Sequence, residues 1–311
     1  MTSRRSAAMF AAALLVVAGL AEPACGAEVL RVCLDANVPQ WSVYESAKGG
    51  GFDWAVADMV ANRIGRQLAL QWFETKSDPD DSTTLAADAL LSDRRCQLVG
   101  GYPLVESALG KPGMRFARMP DFVGARPTDR GRSIEVGTLV PSRAYHFAAL
   151  TVVLGRAAAS ARITDLANLD GIRIGVEGGT LADAILMLFG DGRLVNQITH
   201  VVPGRGELLP RLEKGEYDAT LVELRRFDAY RATYPETILT PSGYYFPTGF
   251  NIGFVGLSTE RGLIEQVDRA IAEMLEEGEL PALARTAGVT YLPPRQPNVS
   301  PEVTVADLRR H

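Results

Sequence analysis

The 311-residue chain reads as an exported α/β protein, two mostly parallel sheet units with helices on their faces and a cleft between them. Three observations predict this. Strand and helix signals alternate through residues 29–99, they alternate again through about 150–225, and an apolar segment stands at the extreme N-terminus. The composition, 47% hydrophobic and 22% charged, is that of a globular protein with material for two cores. With 32 Lys+Arg against 37 Asp+Glu and no basic run, a nucleic-acid binder is excluded as a class.

The elements follow in order. Arg4 and Arg5 precede an apolar run from Ala7 to Leu20, and Cys25-Gly26-Ala27 supplies small residues for a cut after Ala27. This is the layout of a secretory signal peptide over residues 1–27. Its apolar run is shorter than the ~20 residues of a membrane span. Two cysteines remain in the mature chain, Cys33 and Cys96, in a compartment where disulfides persist. Each sits in a run that reads as a buried strand, and the two pair if those strands are neighbours; two buried free thiols are the alternative.

Val29–Leu34 reads as a strand, followed by a turn-rich loop with Asn37, Trp41 and Tyr44 that closes at Gly49-Gly50-Gly51. Phe52, Val56, Met59, Val60 and Ile64 recur at helical spacing, with Gly65 as a stop. Leu68–Phe73 is a strand, Thr83–Leu91 a helix capped by Asp81 or Ser82, and Cys96–Val99 a third strand. Residues 104–140 lack periodicity and read as loop. A second β-α-β series spans Ala149–Leu154, Ile163–Leu169, Ile172–Val176, Leu181–Leu188, His200–Val202, Leu208–Lys214 and Tyr217–Val222, with Glu223 at its end. Asn251–Leu257 is a strand, Leu263–Leu275 an amphipathic helix stopped by Gly278, Leu280–Ala287 a short helix, and Pro293–Pro297 an extended tail. Open parallel sheets bind ligands where their strands end, which directs attention to the loops at 35–44, 101–108, 177–180 and 223–226.

These loops carry a resemblance. Leu30–Asp35, Pro39 with its aromatics, and Gly51-Phe52-Asp53 resemble the opening of bacterial extracellular solute-binding proteins of family 3. Gly175-Val176-Glu177-Gly178-Gly179-Thr180, Gly215-Glu216-Tyr217-Asp218-Ala219 and the terminal helix with Gly278-Glu279-Leu280 are similar to later elements of that family. The resemblance implies a Venus-flytrap fold in the periplasm: lobe one at 28–145 plus 250–311, lobe two at 146–249, and two crossovers near 140–150 and 245–252. It implies a monomer that closes on a small polar ligand for transport or sensing, partnered by the permease complex of an ABC transporter, with no enzymatic activity, cofactor or metal. Cys33, Cys96, Tyr102-Pro103 and the Pro-rich tail are also similar to the J-type accessory proteins of quinoprotein methanol dehydrogenases, which makes a periplasmic dehydrogenase the alternative partner. Cyclohexadienyl dehydratase resembles the same fold, and an acid–base pair of Glu177 and Glu223 would serve such an enzyme.

The candidate ligand residues are Asn37, Trp41, Tyr44, Tyr102, Arg143, Gly179, Thr180 and Glu223. Trp41 and Tyr44 offer ring faces for stacking, or simply anchor their loop. Tyr102-Pro103 follows a strand directly and serves a ligand or a rigid turn. Gly178-Gly179-Thr180 presents backbone donors at a helix start, for an anion or for capping alone. Glu223 pairs with an amine, or with Arg225 or Arg226, which read as a solvated helix start. The family's carboxylate-gripping Arg falls on Ala108, where no guanidinium stands, leaving Arg115, Arg118, Arg126 or Arg143 to replace it. The three histidines have no metal-ligand spacing, and Asp78–Asp81 lacks an EF-hand pattern.

Overall fold

The computed structural model describes residues 28–38, 41–45, 48–75, 83–110 and 115–309. The signal-peptide segment, the Asp81 or Ser82 cap and the Asp78–Asp81 run lie outside the described residues. The chain opens with β1 (Val29–Asp35), a small three-stranded sheet of β2 (Asn37–Val38), β3 (Ser42–Glu45) and β4 (Lys48–Gly50), then α1 (Phe52–Arg63) and β5 (Gln67–Glu74). Next come α2 (Thr83–Ser92), β6 (Leu98–Leu104), α3 (Glu106–Leu109), β7 (Phe116–Arg118), β8 (Asp121–Phe122), β9 (Ser133–Glu135) and β10 (Leu139–Leu154). The middle holds β11 (Ile174–Glu177), α4 (Leu181–Leu188), β12 (Ile198–Val201), α5 (Leu208–Glu213), β13 (Ala219–Glu223) and α6 (Leu224–Thr233). The last elements are β14 (Thr240–Leu257), α7 (Arg261–Glu276), α8 (Glu279–Thr286) and α9 (Val305–Arg309).

Nine strands form one mixed sheet in the order β12-β11-β13-β10-β14-β6-β1-β5-β8. Either side of the central pair the neighbours are parallel: β5-β1-β6 in the first half and β12-β11-β13 in the second. Each half has its own apolar clusters. Leu30, Val56, Leu98, Ile264 and Met274 pack together in one, and Val152, Ile174, Ile185 and Leu221 in the other. The amphipathic helix predicted at 263–275 is α7, whose buried stripe is Leu263, Ile264, Val267, Ala270, Ile271 and Met274. At the end of α1, Arg63 pairs with Glu273, Glu277 and Glu279, tying three helices of the first half together.

The central pair departs from the sequence reading. Strands were expected at 149–154 and 251–257, yet β10 has 16 residues and β14 has 18. They pair antiparallel from Leu139↔Leu257 to Leu154↔Thr240 with four register shifts, and so run through both halves of the sheet. Pro141, Ser142 and Arg143, and Pro247 and Gly249 in β14, interrupt the apolar periodicity that marks a strand in sequence. Residues 104–140, read as loop, contribute α3, the β7–β9 pair and an edge strand β8 against β5. The turn-rich loop at 35–51 is the β2–β4 sheet, closed by Gly51, whose φ of 100° and 2.5 Å clearance to the Trp41 carbonyl leave no room for a Cβ. The Ile163–Leu169 helix is one 3₁₀ turn at Leu166–Leu169 with an Asp165–Asn168 capping box.

Cys33 and Cys96 are bonded, their Cα atoms 5.6 Å apart, with β1 and β6 as sheet neighbours. The bridge spans 63 residues, and chain-entropy arguments assign a loop of that size about 4 kcal/mol. Replacing both cysteines by Ala is expected to lower unfolding free energy by up to that amount. Chemical denaturation of the oxidised protein and the double variant measures it, and equal midpoints would contradict it.

Candidate functional site

Strands β1, β6 and β13 end around one cavity of about 340 Å³. From the first half it is lined by Asp35 and Ser42, Asp53 of α1, Gly100-Gly101-Tyr102-Pro103 of β6, and the apolar Phe73, Val99 and Ile252; from the second half come Glu223 and Arg225. The sheet sets this arrangement, because parallel strands on either side of the central pair deliver their ends to the same place.

Asp53 is the most unusual of these groups. It is 2% exposed, its Oδ1 accepts a hydrogen bond from the Tyr145 hydroxyl at 2.8 Å, and that hydroxyl accepts from the Gly101 amide at 2.7 Å. Gly101 has a φ of 69°, and a Cβ there would stand 2.7 Å from Asp53 Oδ2. Burial pushes the Asp53 carboxyl up to about 6, against Arg225 and the Tyr145 hydrogen bond, which pull it down. His146 lies 4.6 Å from the Trp41 ring and stays neutral, burial and then Arg225 holding it down at about 3.

Arg225 corrects the sequence reading. It is no solvated helix start: its guanidinium stacks over the Trp41 ring at 4.9 Å and lines the cavity. Arg226 turns away and grips the buried Glu177 with two hydrogen bonds of 2.6 and 2.8 Å, which leaves Glu177 an ion-pair partner rather than half of an acid–base pair. Glu223, two residues before Arg225, makes no side-chain hydrogen bond or ion pair among the described residues, and neither does Arg225.

The remaining candidates are placed as follows. Tyr102 lines the cavity; its hydroxyl faces Asp88 Oδ1 at 2.9 Å and the Ala108 carbonyl at 3.0 Å. Trp41 is buried beneath Arg225, with its indole nitrogen unpartnered among the described residues. Tyr44 is 41% exposed and leans on Trp72, away from the cavity lining. Asn37 pairs with Val43 through its backbone in β2, and its side chain lies outside the described residues. Arg143 is exposed on β10, its amide donating to Asp268 at 2.6 Å. The Gly179 amide donates to Asp183, and the Thr180 hydroxyl accepts from the Asp183 amide, so these groups cap α4. Ala108 is buried without a charge, and the nearby Arg115 is engaged by Asp88, fully buried and raised by that burial to about 7. Sequence reasoning missed Asp35, Ser42, Asp53 and Arg225. The strand-end rule had pointed at 223–226, and the signal for Arg225 was its place two residues beyond β13.

The sequence matches no family model and no curated protein. Solved structures do match. An L-cystine solute receptor of Neisseria gonorrhoeae, in its unliganded open form, is 17% identical with a TM-score of 0.60, covering 86% of this chain and 96% of the receptor. The second substrate-binding domain of an amino acid ABC transporter from Streptococcus pneumoniae is 15% identical with a TM-score of 0.59, covering 83% and 99%. A histidine kinase sensor domain with similarity to periplasmic binding proteins is 13% identical with a TM-score of 0.54, covering 86% and 99%. The chain has the mixed α/β fold of these proteins. Among the described residues no helix is long and apolar enough to cross a membrane, and no group of three His, Cys, Asp or Glu side chains is placed to hold a metal.

A carboxyl raised from 3.8 to about 6 makes folding less favourable as pH rises through that interval, by about 3 kcal/mol once ionised. Asp53→Asn removes this cost while keeping an acceptor for Tyr145. The variant is expected to be more stable than the parent at pH 8 by up to that amount, with no advantage at pH 3.5. Urea titrations at both values test this, and a stability difference independent of pH would refute it.

Proposed function

We propose that the protein is a periplasmic solute-binding protein whose two lobes, 28–145 plus 250–311 and 146–249, close on a small charged ligand for transport or sensing. The observation that carries this is the pair Glu223 and Arg225, two opposite charges that line the cavity and make no side-chain hydrogen bond or salt bridge among the described residues. A guanidinium with five donors and a carboxylate match a ligand bearing both an acidic and a basic group. Arg225, held on Trp41, takes the acidic end in place of the clamp absent at Ala108. Asp53 and Asp35 add negative charge on the facing side, which favours a second basic group. Export through residues 1–27 and delivery to a permease complex, or to a membrane sensor, complete the reading; the binding step needs neither a cofactor nor catalysis.

A second reading rests on the Cys33–Cys96 bond and Tyr102-Pro103 after β6, features similar to accessory proteins of periplasmic quinoprotein alcohol dehydrogenases. On that reading the partner is the dehydrogenase and no solute is captured.

A melting screen against amino acids, diamines and small carboxylates separates the two. Solute at 100 times its dissociation constant stabilises by about 2.7 kcal/mol. A zwitterionic or cationic compound is expected to raise the melting temperature, with the shift lost in Arg225→Ala and Glu223→Gln. An unchanged shift in both variants, or none with any compound beside binding to a purified quinoprotein dehydrogenase, would overturn the first reading.

A further inference from the structure

The chain beyond α8 does not simply trail off. Val289 is buried with the first half, and at Thr290 the chain reaches the second half: its amide and hydroxyl donate to the buried Asp228 of α6 at 2.8 and 2.9 Å. It then crosses the central pair. The Leu292 carbonyl accepts from the Phe147 amide of β10, and the Arg295 guanidinium stacks on the Phe147 ring at 4.0 Å. Asn251 of β14, 1% exposed, donates to the carbonyls of Arg295, Pro297 and Asn298 and accepts from the Arg295 amide. Asn298 accepts from the Ala144 amide and donates to the Ser142 carbonyl. Ser300 exchanges backbone hydrogen bonds with Leu104 and Glu106 in the first half. The tail finally returns to the second half, where Leu308 of α9 is buried in the cluster that holds α4.

We propose that residues 289–309 form a strap across the hinge that holds the two halves in one relation when no solute is bound, and that release of α9 is the step that lets the cleft widen. The reason is geometric. Leaving the first half at Val289, the strap is fixed to the second half at Thr290, through Asp228, and at Leu308, and to the first half between them, through Asn298 and Ser300. Any rotation of one half about β10 and β14 changes the distance between these anchors. Opening therefore exposes Leu308 or strips Thr290 from a buried carboxylate, both of which cost free energy. Of the two ends, α9 gives way first: it is a single short helix seated by one buried side chain, whereas Asp228 is closed in on all sides. The inference rests on the two-lobed reading above but on no particular solute.

Hydrogen exchange and small-angle X-ray scattering of the whole protein, without added solute, test it. Leu308→Asp is expected to speed exchange of the Thr290, Ala144 and Phe147 amides by about tenfold or more, to enlarge the radius of gyration, and to change Trp41 fluorescence as Arg225 leaves its ring. Should circular dichroism show that this variant does not fold, Leu308→Ala and Asn298→Ala decide by the same measurements. Faster exchange confined to 305–309, with the amides at 144, 147 and 290 and the radius of gyration unchanged, would reduce the strap to a surface tether and overturn the proposal. Solute-induced melting shifts in these variants report separately on the cavity, so loss of the strap and loss of binding are told apart.

Discussion

The antiparallel pairing of β10 with β14 carries the molecule. Each strand begins in one apolar cluster and ends in the other, so the same backbone ladder closes both parallel half-sheets. Because β6 flanks the pair on one side and β13 on the other, the strand ends Gly100–Pro103 and Glu223 arrive around one cavity. The register shifts along the pair bend it where the halves meet. The tail lies along this pair as well, with Asn251 and Asn298 using their amide groups to satisfy backbone at the bend.

Polar groups are kept in the interior near this junction at a cost. Asp53 is buried beside Gly101 and Tyr145, and Asp88 below it is shared by Tyr102 and Arg115. A purely structural core would be better served by apolar residues of similar size. Asp53 faces the cavity, while Asp88 fixes the strand end that forms its wall. Charge at the cavity is thus supplied in two ways. Asp53 is immobilised by the first half, and Glu223 and Arg225 extend from the second, with Trp41 fixing the guanidinium across the gap.

Much of the architecture was legible in residue order. The apolar runs of β1, β5, β11 and β13, the spacing of α1 and α7, and the cysteines in two such runs all register as local patterns that burial later explains. Legibility failed where the chain serves both halves at once. Pro141–Arg143, Pro247 and Gly249 break periodicity within strands whose course is set by partners far away in sequence. The α9 seat is likewise stabilised by neighbours distant in sequence, not by propensity.

The site divides in the same way. Sequence alone determined that Glu223 and Tyr102 stand at the ends of parallel strands and that no guanidinium stands at 108, because strand ends and residue identities are local facts. Only the tertiary structure decided that Arg225 rather than Arg143 supplies the cavity's guanidinium, and that Glu177 belongs to Arg226. Those outcomes depend on which side chains meet across the sheet, and a stacking ring from residue 41 beneath a guanidinium at 225 leaves no trace in the order of residues.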